Sequence, residues 1–288
     1  MQGLLADIGQ RLASGELVAS EAVCLAVECM ENEPLYNAGK GSVLDAEGNI
    51  SMDASIMRGH DQAAGSVVGL QSSRHPVRAA KRLMENGWPV MLAGPAGDVF
   101  AAENGVEQVE KAWLETQLRR AQWDKWRRER LQPGATDEED ALLDHDAEHD
   151  GWGTVGAVAL DVHGNLAAAT STGGMTGKPP GRVGDTPIIG AGTWADKHIA
   201  VSCTGVGEAF IRTAAAHAVA SFHQDRSLES AAEAMLDLVE PLGGRGGVIA
   251  VNQKGEVVMP FRTMLMYRGW YRDGAVDVGI GPSFLQSS

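Results

Sequence analysis

Cysteine is scarce: Cys24, Cys29 and Cys203 are the whole complement. An odd, unevenly spaced set excludes a disulfide framework, and three reduced thiols that pack as small apolar residues are the expectation. Cys24 and Cys29 lie five apart on an expected helix and so point to different sides of it. Long hydrophobic runs are missing as well. None reaches the ~20 apolar residues of a membrane span, so no membrane partner is expected. No secretory leader is visible, which makes the cytoplasm the expected compartment and the periplasm the alternative. Basic charge is in deficit, with 24 Lys and Arg against 38 Asp and Glu and a formal charge of −14. Nucleic acid is bound by clustered cations, so it is excluded as a partner. Much of the acid is concentrated between Thr136 and Asp150 and says little about the rest of the chain.

What is present is enough apolar residue, 44% of 288, to bury one large core or two small ones. Ser20 to Glu31 has helical spacing and stops before Pro34. Ile50–Met57 and Gly65–Leu70 have strand character, and His75–Asn86 is a helix with Pro76 in its first turn. Residues 117–151 change composition, from a basic stretch to an acidic one around Pro133-Gly134, and are expected to form a flexible linker whose basic half could continue a helix. Trp113, Trp123 and Trp126 would form a packing stripe there.

Beyond Gly153, glycine-punctuated strands are expected. Thr154–Leu160 and Asn165–Ser171 make a hairpin, followed by strands at Ile188–Gly190 and Ile199–Thr204. One long helix over Glu208–Phe222 and another over Leu228–Val239 come next, then a hairpin of Val248–Val251 with Glu256–Met259. Strands alternating with helix pairs predict an α/β fold with sheets covered by helices.

Four stretches carry chemistry. At Gly153-Thr154 a polar linker meets the start of a strand. Glycine tolerates backbone angles that crowd other residues, and a hydroxyl just after it can attack the carbonyl before it. The product would begin with Thr154, whose free α-amine, with a reference pKa of ~7.7–8.0, can serve as base for its own hydroxyl. By residue type alone, the same pair is also an ordinary strand start. Thr170-Ser171-Thr172-Gly173-Gly174-Met175 gathers hydroxyls at a strand end, which also suits a solvated terminus. Arg182 and Asp185, among glycines, could face the carboxylate and ammonium of an α-amino acid, or pair with each other at a surface. Ser202 through Glu208 sets a hydroxyl and amides at a strand end before a helix, which suits an oxyanion hole. Its Gly205-x-Gly207 lacks the further glycine and lysine of a nucleotide loop. His145, Asp146 and His149 have metal-binding side chains, but nothing in the linker would hold them rigidly.

Together, Gly153 through Asp161, Ala167 through Met175, Gly181 through Asp185 and Ser202 through Glu208 resemble the isoaspartyl peptidase/plant-type asparaginase family of N-terminal nucleophile hydrolases. Pro34 through Gly41, Met52 through Met57, Gly243 through Gly247 and Met266 through Gly269 extend the likeness over most of the chain outside the linker. The resemblance implies an α/β/β/α four-layer sandwich and self-cleavage at Gly153/Thr154. The α-subunit would be residues 1–153 and the β-subunit 154–288, folded together as one domain. It implies Thr154 as nucleophile, Thr172 as its support, and Thr204 and Gly205 as the oxyanion hole. Arg182, Asp185, Asn37 and Gly207 would bind substrate. The backbone carbonyls of Met30, Glu31, Glu33, Tyr36, Ala38 and Lys40 would hold a structural sodium, with no catalytic cofactor. The implied reaction is hydrolysis of β-aspartyl dipeptides and L-asparagine to L-aspartate by a homodimer of αβ units. Members normally open with a β-strand running into His-Gly-Gly-Ala-Gly. Met1-Gln2-Gly3-Leu4 matches the helical stretch after it, so that first strand is expected to be missing. A glycosylasparaginase-like hydrolase, which usually has Asp before the threonine, and a truncated non-catalytic homologue are the alternatives.

Overall fold

A computed structural model describes residues 1–130, 153–282 and 284–285. The chain opens with helices α1 (Gln2–Ala13) and α2 (Ala19–Glu31), then strands β1 (Met52–Arg58) and β2 (Ala64–Leu70). Helix α3 (Pro76–Asn86) follows, with Pro76 in its first turn and Gly87 closing it at φ 80°. Next come β3 (Met91–Ala93), α4 (Pro95–Glu103), α5 (Lys111–Leu114) and α6 (Gln117–Arg130). Beyond residue 152 lie β4 (Val155–Leu160), β5 (Leu166–Thr172), β6 (Thr193–Ala195) and β7 (Ile199–Gly205), then α7 (Gly207–Thr213), α8 (Ala215–His223) and α9 (Leu228–Val239). Strands β8 (Gly246–Asn252), β9 (Val257–Val258), β10 (Arg268–Arg272), β11 (Ala275–Gly279) and β12 (Phe284–Leu285) complete it.

Three sheets result. The first has order β3-β2-β1-β5-β4, the second β6-β7-β8-β9 and the third β10-β11-β12. Helices α2 and α3 cover one face of the first sheet, α8 and α9 pack on the second, and the first two sheets meet each other through β4, β5, β6, β7 and β8. The cores follow this stacking. Val23, Val27, Ile56, Val67 and Val77 belong to the core of the first sheet and its helices. Val201, Phe210, Leu228, Met235, Leu236 and Val248 form that of the second. Between the sheets the apolar set is small: Met57, Leu166, Ala168, Ala195, Ala200 and Val251. In α9 the buried residues Leu228, Ala231, Ala232, Met235, Leu236 and Val239 recur at three- and four-residue intervals, and Ser227 caps the helix by accepting from the Ser230 amide. Truncating Leu236, which is fully buried, would cost about 2–5 kcal/mol.

The strands expected near 50–57, 65–70, 154–160, 165–171 and 199–204 form with shifts of a residue or two. Other expectations need correction. The single helix expected over Glu208–Phe222 is two, broken at Ala214 with φ 47°. The cause is tertiary: the Ala216 and His217 amides bond to the carbonyls of Ala191 and Gly190 instead of to the preceding helical turn. Ile188–Gly190 is turn, with one isolated bridge from Ile189 to Thr193, and the strand of that region is β6. Helix α6 occupies the first part of the span expected as a linker. Arg119 and Trp123 are buried there, and the Trp123 indole donates to the Asp45 carbonyl at 2.7 Å. The acidic half of that span, with His145, Asp146 and His149, lies outside the described residues. Cys24 and Cys203 are buried, Cys29 is half-buried, and all three are free.

Candidate active site

Strand alternation decides which hydroxyls meet. Successive side chains leave a strand on opposite faces, so Leu166, Ala168, Thr170 and Thr172 of β5 share the face toward the second sheet. Ala200, Ser202 and Thr204 of β7 share the opposing one. Thr154, just before β4, stands across these two strands. Its Oγ lies 3.1 Å from Thr172 Oγ, which also accepts from the Gly174 amide at 3.0 Å. Thr204 lies close to the preceding residue: a Cβ built at Gly153 would stand 3.4 Å from the Thr204 hydroxyl. The Gly153–Thr154 bond therefore lies between hydroxyls supplied by both sheets.

Gly205 closes β7 at φ 150°, where a Cβ would stand 2.3 Å from the Arg245 carbonyl. Only glycine fits this close approach, and it is what lets the strand turn into α7 beside Thr204.

Charged groups arrive on the loop between β5 and β6. Asp185 is buried, and burial pushes its carboxyl up to about 7, with Glu208 adding to the rise while backbone amides and Arg182 oppose it. Its Oδ2 has no hydrogen-bond partner. A buried acceptor left without a donor is costly unless a ligand supplies one. Arg182 uses its Nε and Nη2 edge to grip Glu208, with both contacts at 2.8 Å, and Nη2 also reaches Met175 Sδ at 3.3 Å. Gly207 packs beneath Asp185, close enough that a Cβ would lie 2.9 Å from the Asp185 amide. It supports that residue and is absent from the lining of the pocket.

Asn37 is buried and stitched in place. Its Nδ2 donates to the Gly174 carbonyl at 2.7 Å, its Oδ1 accepts from Val43 at 3.0 Å, and its own carbonyl accepts from Gly173 at 2.9 Å. It thus ties the loop after α2 to the Thr172–Gly174 segment.

Asn37, Gly153, Thr154, Thr172, Arg182, Asp185 and Gly205 all line one small cavity of about 30 Å³. Arg119 of α6 joins them there, a residue that sequence reasoning missed. Its guanidinium donates to the carbonyls of Gly41 at 2.6 Å and Leu35 at 3.2 Å, which flank Asn37. Lys178, buried nearby, donates to the Ser51 carbonyl at 2.7 Å, and burial draws its ammonium below the usual lysine range. A basic residue in a polar-looking helix, like Arg119, or in a glycine-rich loop, like Lys178, gives no local sign of such a role. A much larger, mostly apolar cavity of about 560 Å³ runs along the other side of β4 and includes Thr154 and Gly205 in its lining.

The loop expected to hold a cation curls on itself, with the Lys40 amide donating to the Glu31 carbonyl at 2.8 Å. The Met30 and Glu33 carbonyls accept from the Glu33 and Tyr36 amides at 3.1 Å each. Among the described residues, no group of three or more His, Cys, Asp or Glu could hold a metal ion.

A family model described as Asparaginase matches residues 2–280. This chain belongs to the asparaginase family. Among curated relatives, the isoaspartyl peptidase of Escherichia coli K12 is 44% identical over 274 residues, covering 92% of this chain and 83% of the relative. The isoaspartyl peptidase of Salmonella typhimurium is 43% identical, covering 92% and 85%. The isoaspartyl peptidase/L-asparaginase of Mus musculus is 41% identical, covering 91% and 78%. The strands of this asparaginase-family chain are mixed with helices in both halves, and no helix among the described residues is long and apolar enough to cross a membrane.

Proposed function

We propose that this chain is the precursor of a threonine amidohydrolase that hydrolyses β-aspartyl dipeptides and L-asparagine to L-aspartate. One observation carries the proposal: the Thr154 hydroxyl stands 3.1 Å from Thr172 and shares a pocket with Arg182 and buried Asp185, whose Oδ2 is left without a donor. The curated relatives support the substrate class by their names.

In the maturation step, Thr154 Oγ attacks the Gly153 carbonyl and the peptide nitrogen leaves as the amine of Thr154. Water then hydrolyses the resulting ester. Residues 1–153 become one subunit and 154–288 the other, folded together. Gly153 lines the pocket, so parting the chain there removes part of its wall.

In turnover, the free amine of Thr154 takes the proton from its hydroxyl as Oγ attacks the side-chain carbonyl of the substrate. Thr172 holds Oγ in line. Thr204 and Gly205 stabilise the oxyanion from the opposing sheet. Ammonia or an amino acid leaves with a proton, and water releases aspartate from the ester. Arg182 meets the substrate α-carboxylate, Asp185 its α-ammonium, and Asn37 and Gly207 hold the walls around them.

The helix–sheet–sheet–helix stacking supports a four-layer α/β/β/α sandwich. β4 is an edge strand beside the apolar cavity lined by Leu4, Ile8, Val23 and Val248, and a further strand of the sandwich would pair there. The loop of residues 30–40 would hold a sodium ion through the carbonyls of Met30, Glu31, Glu33, Tyr36, Ala38 and Lys40. Neutral oxygens suit such an ion, and a carbonyl that accepts one amide keeps a second lone pair. The bound ion would order the loop carrying Asn37. The assembly is a dimer of αβ units in the cytoplasm.

The test is to purify the wild type and Thr154→Ala, run both on a denaturing gel, and sequence the N-terminus of the smaller fragment. Two fragments, the smaller starting at Thr154, with ammonia released from asparagine and amino acid from a β-aspartyl dipeptide, are expected of the wild type alone. A Thr154→Ala protein that still divides would defeat the proposal.

A further inference from the structure

One pleat below the pocket, the two sheets meet through hydroxyls where packed sheets usually bring methyl groups together. Thr170 sits two residues before Thr172 on β5, and Ser202 two before Thr204 on β7, each on the same face as its partner. Thr170 Oγ is 2.8 Å from Ser202 Oγ and 2.5 Å from Thr193 Oγ of β6. Thr193 Oγ is 2.8 Å from Ser55 Oγ of β1, which is 2.6 Å from the Thr186 carbonyl. None of the four residues is more than 4% exposed.

Each hydroxyl has one proton to give. Ser55 is placed to donate to the Thr186 carbonyl or the Thr193 hydroxyl. Thr170 can donate to the Gly192 carbonyl at 3.3 Å, and either partner can donate in its contacts with Thr193 and Ser202. The file starts two residues from Thr204, passes two residues from Thr172 and ends beside Asp185. The strand that follows Thr154 lies on it too, because a Cβ at Gly156 would stand 2.1 Å from Ser202 Oγ.

We propose that Ser202, Thr170, Thr193 and Ser55 are positioning residues, a hydrogen-bonded spacer that sets the distance between the nucleophile and the oxyanion strand and ties both to the Asp185 loop. The proposal rests on the roles given above to Thr154, Thr204 and Asp185. Hydroxyl oxygens here approach to 2.5–2.8 Å, whereas carbon atoms in contact settle at ~3.5–4.0 Å. Exchanging the pair that bridges the sheets for valine and alanine removes the hydrogen bond that holds this spacing, and a displacement of about 1 Å at the site can lower turnover roughly a hundredfold. Stability should fall only modestly, since both partners of the bridging hydrogen bond are removed together and only the volume of the Ser202 oxygen is left empty. A merely structural network would leave turnover intact in a folded protein.

The experiment compares wild type, Thr170→Val/Ser202→Ala and Thr170→Ser on a β-aspartyl dipeptide, with kcat counted per matured site from the fragments on a gel. The double variant is expected to keep its thermal midpoint within a few degrees, lose roughly tenfold to a hundredfold in kcat, and change KM little. Thr170→Ser, which keeps the hydroxyl, is expected to stay close to wild type. A folded double variant with kcat within about twofold of wild type, or a rise in KM with kcat intact, overturns the proposal. If the double variant does not fold, Ser202→Ala is read by the same two criteria. A wild type that hydrolyses no β-aspartyl substrate defeats the proposed function instead, so the two failures are distinct.

Discussion

Asp185→Asn should make the protein more stable and less active, and the size of the first effect should depend on pH. Asp185 is buried with Oδ2 unpartnered, and its carboxyl titrates at about 7 in the fold against 3.8 in the free residue. The folded pKa is raised, so the folded state binds more protons than the unfolded state between these values. Stability therefore falls as pH rises from about 4 to 7 and stays low above that. At ~1.4 kcal/mol per unit, the ionised carboxylate costs on the order of 4 kcal/mol at pH 8 and about 2 kcal/mol at pH 5. Asparagine cannot ionise and escapes both costs, although its amide N–H groups need acceptors and an orphaned one gives back ~1–3 kcal/mol. The advantage of Asp185→Asn over its parent should thus shrink by roughly 2–3 kcal/mol between pH 8 and pH 5.

The comparison is best made on the uncleavable Thr154→Ala chain, where unfolding is not complicated by subunit separation. Denaturant titrations at the two pH values give the difference directly. In the matured enzyme, the same carboxylate must be ionised to meet the substrate ammonium, so KM should climb toward tenfold per pH unit below about 7. A stability difference that does not move between pH 5 and pH 8 would refute the account of Asp185 as a strained buried carboxylate awaiting a cation.

Arg182→Lys should raise KM roughly tenfold with a smaller change in kcat, because a point ammonium cannot hold Glu208 along one edge and present a second edge to substrate; steady-state kinetics on asparagine checks this. Gly205→Ala should reduce soluble, matured protein, since the backbone strain at φ 150° alone costs ~1–3 kcal/mol before the contact with Arg245 is counted; the yield of the two fragments and a thermal melt report it. Arg119→Ala should lose about 3 kcal/mol through the freed carbonyls of Leu35 and Gly41 and should weaken substrate binding through the Asn37 loop; a melt and KM measured together test both parts.

The sequence carries some of this site openly and hides the rest, and the division has a physical basis. Thr172, Thr204 and Gly205 are legible because they sit where a strand runs into glycine, a local pattern that needs no knowledge of the partner sheet. Arg182 and Asp185 are legible as a cation and an anion among glycines, although the pairing of Arg182 with Glu208 is not. Arg119 is invisible because its meaning lies in the carbonyls of Leu35 and Gly41, far back in the chain. The break at Ala214 is invisible for the same reason: an alanine-rich stretch has every local reason to stay helical, and only the carbonyls of Gly190 and Ala191 divert its amides. Ser55, Thr170, Thr193 and Ser202 read as ordinary strand hydroxyls until two sheets bring them within hydrogen-bonding distance.

That arrangement also bears on the order of events in maturation. In the uncut chain the pocket holds about 30 Å³, and Gly153 forms part of its wall. The hydroxyls of Thr154, Thr172 and Thr204 are already gathered around the bond to be cut. The proposed self-cleavage therefore needs nothing that substrate would bring. Arg182 and Asp185 have no part in the first step, because the glycine carbonyl has neither charge for them to meet. A carboxylate oxygen left without a donor, beside a guanidinium with one edge engaged by Glu208, suits the substrate-binding step of the proposed mechanism and not its cleavage step.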